Sequence, residues 1–319
     1  MKTSTRKYRV IFMGTPEFAK TILQTLLDLP QLDIVAVITQ PDKPIGRHKT
    51  VQPSPVKQLA LANRLTVWTP EKLKHNSEIL EKIKALDPDV IIVAAYGKIL
   101  PQEILDIPAH GIVNIHGSLL PKYRGASPIA AAILNGDTIT GVTLMKIDAT
   151  MDTGPIIAVS EPVPIKDTST QLALSHVLAK VGADLLQQNL IPYLEGEIAP
   201  ISQDDSQATY TSLIKKEDGL INWQEPAFII ERKTRAYTPQ PTTYTFYHGK
   251  RLKIAFSKVV PTDQPRPVGQ AWLTSDKHLA VSTSQASLQL EVVCLEGKNL
   301  TSDQEFLRGH PDIIGTILG

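Results

Sequence analysis

Asn114, His116 and Asp152 are the residues of this chain whose types and spacing best suit chemistry at a carbonyl carbon. An amide offers N–H donors to an oxyanion, an imidazole exchanges protons near neutral pH, and a carboxylate orients the imidazole or takes a proton. Together they suit acyl transfer, in which the carbonyl oxygen gathers charge and protons must be moved between the attacking and leaving groups. Taken singly, each has a commoner role: Asn114 as a turn cap, His116 as a satisfied, partly buried histidine, Asp152 as a turn acid before Thr153 and Gly154. An ordinary Asp titrates at about 3.9, which makes it a weak base near neutral pH. Asp152 is therefore either made more basic by burial or contributes mainly through charge and position.

The elements that must position these groups are legible as patterns. The apolar run 111–116 reads as a buried strand on which Asn114 and His116, two residues apart, share a face at the carboxyl end, where open α/β sheets place ligands. The run 141–147 reads as a second strand leading into the loop that carries Asp148 and Asp152, so two strand ends are expected to converge on one cleft. Upstream, a strand at 8–13, a turn at 14–17, a helix at 18–29 and a strand at 33–39 form an opening βαβ unit. A strand at 90–95 and helices near 56–63, 77–86 and 127–135 continue the alternation, and a long helix at about 170–193 closes it. The fold class expected is α/β, a doubly wound, mostly parallel sheet. Beyond it, 243–247 and 251–256 read as a hairpin, and Leu288, Leu290 and Val292 alternate with Gln289 and Glu291. A small all-β domain, an OB-like barrel, should follow. The boundaries expected are 1–195 for the first domain, a polar, proline-bearing linker at 196–210, and 211–319 for the second.

At 319 residues the chain is long enough for two cores, and a net charge of +1 gives no global attraction to a polyanion. Any such partner must be met by a local patch, and residues 215–258 carry nine Lys or Arg against four Asp or Glu, whereas four face seven after 261. The single cysteine, Cys294, cannot form an internal disulfide and is expected in a core, and no Cys/His cluster has metal-ligand spacing. The expectation is a metal-free reaction in the cytoplasm. No apolar stretch approaches the roughly 20 residues a membrane helix needs, and the basic amino-terminal tail leads at once into a strand rather than a signal region. Gly14-Thr-Pro-Glu17 stands where a dinucleotide fingerprint would, without the Gly-x-Gly-x-x-Gly spacing, so NAD is not expected.

The whole stretch resembles the signature of the folate-dependent formyltransferases. There, Asn-x-His ends a strand, Ser-Leu-Leu-Pro-x-Tyr-Arg-Gly follows (Ser118 to Gly125), and a loop reads Asp-x-x-x-Asp-Thr-Gly (Asp148 to Gly154). The likeness runs from Gly14-Thr-Pro-Glu-Phe18 to Glu305-Phe-Leu-Arg-Gly309. It implies a Rossmann-like formyltransferase domain, 10-formyltetrahydrofolate as co-substrate, and Asn114, His116 and Asp152 as the catalytic residues. It also implies folate contacts from Ser118, Leu119, Leu120 and Pro121, with Arg124 and Gly125 positioning that loop. The proline-stiffened loop 40–57, basic at Arg47, His48 and Lys49, closely resembles the one that the branch acting on initiator methionyl-tRNA inserts at the acceptor end. Those three residues would be the nucleic-acid contacts, Arg47 and Lys49 on phosphates and Arg47 also on a terminal base. The acceptor implied is initiator methionyl-tRNA, in translation initiation, and the enzyme is expected to be a monomer. Two departures stand out: His48 replaces a frequent glycine, and 235–241 has Gln240 where a tryptophan often precedes the last proline. A sugar-nucleotide formyltransferase would not need the Arg47 loop, a formyltetrahydrofolate hydrolase would deliver the formyl group to water, and a non-catalytic RNA-binding protein would not need the triad.

Overall fold

Short runs of aliphatic and β-branched residues make the first sheet from β1 (Tyr8–Gly14), β2 (Leu32–Ile38), β3 (Val67–Trp68), β4 (Val90–Ala94), β5 (Ile112–His116), β6 (Thr143–Lys146) and β7 (Ile156–Val159). The computed structural model describes residues 6–45 and 50–319. The strand order is β7-β6-β5-β4-β1-β2-β3. Strands β1 to β5 run parallel to one another. Central β4 is apolar throughout and wholly buried, as a strand covered on both faces must be.

The direction of β6 departs from expectation. It is a strand, but it runs antiparallel to β5, with Thr143 opposite His116 and Lys146 opposite Val113. The chain re-enters the sheet at the end where β5 leaves it, instead of crossing to the far end as a parallel connection requires. The carboxyl end of β6 therefore lies beside the start of β5, and the loop that follows must fold back to bring Asp152 to Asn114 and His116.

Along the chain come the helices α1 (Glu17–Leu27), α2 (Pro55–Ala62), α3 (Ser77–Ala85), α4 (Pro128–Asn135) and α5 (Gln171–Leu194). In α1 the buried residues Phe18, Ala19, Ile22, Leu23 and Leu26 form one stripe at helical spacing. Each large one contributes about 1.5–3 kcal/mol by leaving water. Helix α2 begins where Ser54 accepts from the Lys57 N–H at 3.1 Å. Helix α5 comes close to the middle of the sheet at Gly182, where a Cβ would stand 2.9 Å from Ile115. That packing holds β5 from the face opposite Asn114 and His116.

The described residues divide into two compact units, the first comprising residues 6–45, 50–128, 139–163 and 175–211, the second residues 129–138, 164–174 and 212–319. The second contains α6 (Ala227–Ala236), β8 (Thr243–Tyr247), β9 (Lys250–Val260), β10 (Ala271–Leu273), β11 (Leu279–Ser282), β12 (Ser287–Leu295) and α7 (Asp303–Gly309). Its antiparallel sheet, in the order β8-β9-β12-β11-β10, is a curled half-barrel of OB-like character. Register shifts around Phe256 bend β9 and produce the curl. Trp223, Ile230, Leu252, Ile254, Leu288, Leu290 and Val293 fill its core. Cys294 departs from expectation: strand alternation puts Val293 and Leu295 inside, so Cys294 between them is only partly buried, its Sγ 3.3 Å from the Lys298 carbonyl.

Candidate active site

Alternation along β5 puts Asn114 and His116 on the face that also carries Ile112, which packs with Ile11, Met13, Ile91 and Val93. His116 is buried, and its Nε2 lies 2.9 Å from the Tyr123 carbonyl. A carbonyl only accepts, so Nε2 carries the proton, and Nδ1 is the nitrogen left to exchange one. That nitrogen faces Asp152 Oδ2 at 3.6 Å.

Asp152 stands in the left-handed region, at φ 56°. Its Oδ1 is 3.4 Å from Asn114 Nδ2, and its Oδ2 accepts from the Gly125 N–H at 2.8 Å. The turn is tight just beyond: a Cβ on Gly154 would fall 1.9 Å from the Lys146 carbonyl oxygen, so only glycine lets the loop close on β6. Asn114 gives one amide hydrogen to Asp152. The neighbouring Asp148 is a turn acid instead, accepting from Thr150 N at 3.1 Å and from Thr153 Oγ1 at 2.8 Å.

The segment after β5 is built around its own polar contacts. Ser118 is fully buried and donates through Oγ to the Lys122 carbonyl at 2.6 Å, while Thr143 Oγ1 donates to Ser118 O at 2.7 Å. Leu120 is buried, and Leu119 and Pro121 are half-buried. Ser118 and Leu120 thus shape the loop, and Leu119 and Pro121 are the pair that retain surface. Arg47, His48 and Lys49 lie outside the described residues. The strands on either side, Lys43–Ile45 and Thr50–Gln52, pair antiparallel, Lys43 opposite Gln52.

Sequence reasoning missed the groups that close the site. Tyr210 and Thr211 pair in parallel with Arg124 and Gly125. Thr209 Oγ1 accepts from Tyr123 N at 2.8 Å, and its carbonyl accepts from Arg124 N at 2.8 Å. The Arg124 side chain, 1% exposed, ends on Gln203, on Asp205 at 2.7 Å and on the Tyr210 hydroxyl at 3.2 Å. Burial disfavours its charge, but the hydrogen bonds to Asp205 and Tyr210 outweigh that and hold the guanidinium above its ordinary pKa. These partners come from the polar stretch expected to be a linker. Its strand pairing is two residues long and has no periodicity to read.

Among the described residues no group of three or more His, Cys, Asp or Glu is arranged to hold a metal ion, and no helix is long and apolar enough to cross a membrane. Residues 6–190 match the formyl transferase family model, and residues 213–311 match that of the formyl transferase C-terminal domain. The chain belongs to the formyl transferase family. One member of the family, the methionyl-tRNA formyltransferase of Caldanaerobacter subterraneus subsp. tengcongensis, is 44% identical over 97% of this chain and 99% of its own length. Among solved structures, HypX from Aquifex aeolicus in complex with tetrahydrofolic acid superposes with a TM-score of 0.62 at 15% identity, covering 94% of this chain and 46% of that one. An N-formyltransferase from Helicobacter canadensis, solved with folinic acid and dTDP-3-aminofucose, gives a TM-score of 0.65 at 21% identity, over 89% of this chain and 98% of its own. Both share the formyl transferase fold.

Proposed function

We propose that this formyl transferase moves the formyl group of 10-formyltetrahydrofolate to the α-amino group of initiator methionyl-tRNA. The observation that carries the reading is the convergence of Asn114 and His116 on one carboxylate, within 3.4 Å and 3.6 Å. The 44% likeness to a methionyl-tRNA formyltransferase along nearly the whole chain supports the choice of acceptor over an amino sugar.

Each group has a task that its geometry fits. The uncommitted Asn114 amide hydrogen stabilises the tetrahedral oxyanion. As the amine nitrogen bonds to the formyl carbon it must shed a proton, and Asp152 with His116 Nδ1 receives it, directly or through water. His116 returns a proton as the bond to the folate nitrogen breaks. The Gly125 N–H and the Tyr123 carbonyl keep carboxylate and imidazole oriented throughout. A 3.6 Å separation leaves room for tightening when substrates arrive. Leu119 and Pro121 offer the folate an apolar flank on a loop that Ser118 and Leu120 hold in shape.

In this reading residues 1–195 are the catalytic domain, 196–210 a linker that also closes on the site, and 211–319 the tRNA-binding domain. Arg47, His48 and Lys49 contact the acceptor end of the tRNA. The enzyme acts in the cytoplasm as a monomer, without metal or NAD. The test is formyl transfer from 10-formyltetrahydrofolate to charged initiator methionyl-tRNA, with uncharged tRNA and an amino-sugar nucleotide as controls. Transfer confined to the charged tRNA supports the reading; transfer to the sugar, or formate release without an amine, refutes it.

A further inference from the structure

Gln203 spends every hydrogen-bonding position of its side-chain amide on the frame of the active site. Its Nε2 donates to the carbonyls of Asp152 at 2.9 Å and Gly154 at 2.8 Å. Its Oε1 accepts from Arg124 Nε at 3.0 Å and from a second guanidinium nitrogen at 2.9 Å. Carbonyls only accept and a guanidinium only donates, so the orientation of the amide is fixed by its partners.

The consequence lies in what each partner adjoins. Arg124 sits between Tyr123, whose carbonyl holds His116 Nε2, and Gly125, whose N–H holds Asp152 Oδ2. The other two partners are the backbone of Asp152 itself and of Gly154, the tight turn beyond it. One side chain therefore sets the separation between the strip that orients the imidazole and the loop that supplies the carboxylate.

We propose that Gln203 is a positioning residue for formyl transfer, acting through Arg124 and the 152–154 backbone to hold the Asp152 carboxylate toward Asn114 and His116. The inference rests on the function proposed above and adds a residue from outside the motif that suggested it.

Two substitutions test it. Gln203→Met keeps length and volume while removing all the hydrogen bonds, and Gln203→Glu keeps the Arg124 side while setting a carboxylate against two carbonyl oxygens. The measurements are kcat and KM for both substrates, and the exchange rate of the Gly125 amide by NMR, which reports on the Asp152 carboxylate independently of turnover. In both variants kcat should fall by about 10- to 100-fold with KM changed less than about threefold, because the substrates still bind but the reacting groups are misplaced. Gly125 exchange should be faster by about tenfold. Wild-type kcat in either variant overturns the proposal, as does a lower kcat with unchanged Gly125 exchange. If the wild-type enzyme transfers no formyl group, the functional reading fails, and unchanged Gly125 exchange in the variants would then refute the positioning role separately.

Discussion

His116 Nδ1 and Asp152 Oδ2 face each other across 3.6 Å, at the one imidazole nitrogen that the Tyr123 carbonyl leaves free. The pair joins a proton-exchanging group to a fixed negative charge, and the chemistry proposed here depends on that charge. Asp152→Asn keeps the size of the side chain but removes both the proton acceptor and the partner of an imidazolium. Turnover should fall by about 10²- to 10⁴-fold, with methionyl-tRNA binding little changed. Single-turnover kinetics with saturating tRNA would check this, and a variant within about tenfold of wild type would count against general-base work by Asp152.

Asn114→Ala removes the amide hydrogen assigned to the oxyanion. Loss of one such donor typically lowers kcat by about 10²- to 10³-fold. Steady-state kinetics should show the loss in kcat rather than KM. Unchanged turnover would remove Asn114 from the mechanism.

Gly154→Ala forces a methyl group against the Lys146 carbonyl, 1.9 Å from where the Cβ must lie. The backbone has to move, at a cost of about 1–3 kcal/mol, and Asp152 moves with it. Urea titration should show an earlier midpoint, and activity should drop more than stability does. A variant with both intact would mean the loop closes more loosely than described.

Tyr96 is buried and its hydroxyl has no partner among the described residues, and burial alone pushes its pKa up to about 12. The folded state therefore holds this proton more tightly than the unfolded chain, whose tyrosines titrate at about 10. The corresponding stability is fully present below pH of about 10 and is lost as pH rises toward about 12. Tyr96→Phe should lessen that alkaline loss and should be neutral or stabilising by about 1 kcal/mol at neutral pH, since it removes an unsatisfied buried group. Thermal melts from pH 8 to 11 would decide it.

Arg47→Ala with Lys49→Ala should raise KM for methionyl-tRNA while sparing folate binding, and should flatten the salt dependence of tRNA use. Activity titrations at several salt concentrations would measure both. Unaltered tRNA use would sever this loop from acceptor recognition.

The site and the fold were legible to different depths. Asn114 and His116 could be placed together because strand alternation is written in the sequence, and a strand through Leu288 and Leu290 for the same reason, but the irregularity beyond them was not: the core resumes at Val293 and Leu295 and leaves Val292 on the other face. The direction of β6 was not legible: an apolar run has the same pattern whichever way it enters a sheet, and register with β5 decides it. Asp148 and Asp152 look alike on paper, yet one closes its own turn with Thr150 and Thr153 while the other crosses to β5. Gln203 offered no signal at all, because a polar residue in a polar segment acquires its role only from partners far away in the chain.

That distance has a bearing on biogenesis. Gln203 and Arg124 are 79 residues apart in sequence, and the Tyr210 hydroxyl that also reaches Arg124 is 86 away. As the polypeptide leaves the ribosome, every strand of the first sheet, and Asn114, His116 and Asp152 with them, emerges before the stretch that fastens them. Long-range closure of this kind is slow relative to local structure. A chain that had emerged only as far as α5 would therefore carry Asn114, His116 and Asp152 without Gln203, Asp205 and Tyr210, and its chemistry should stay slowed until the final turns of that unit follow.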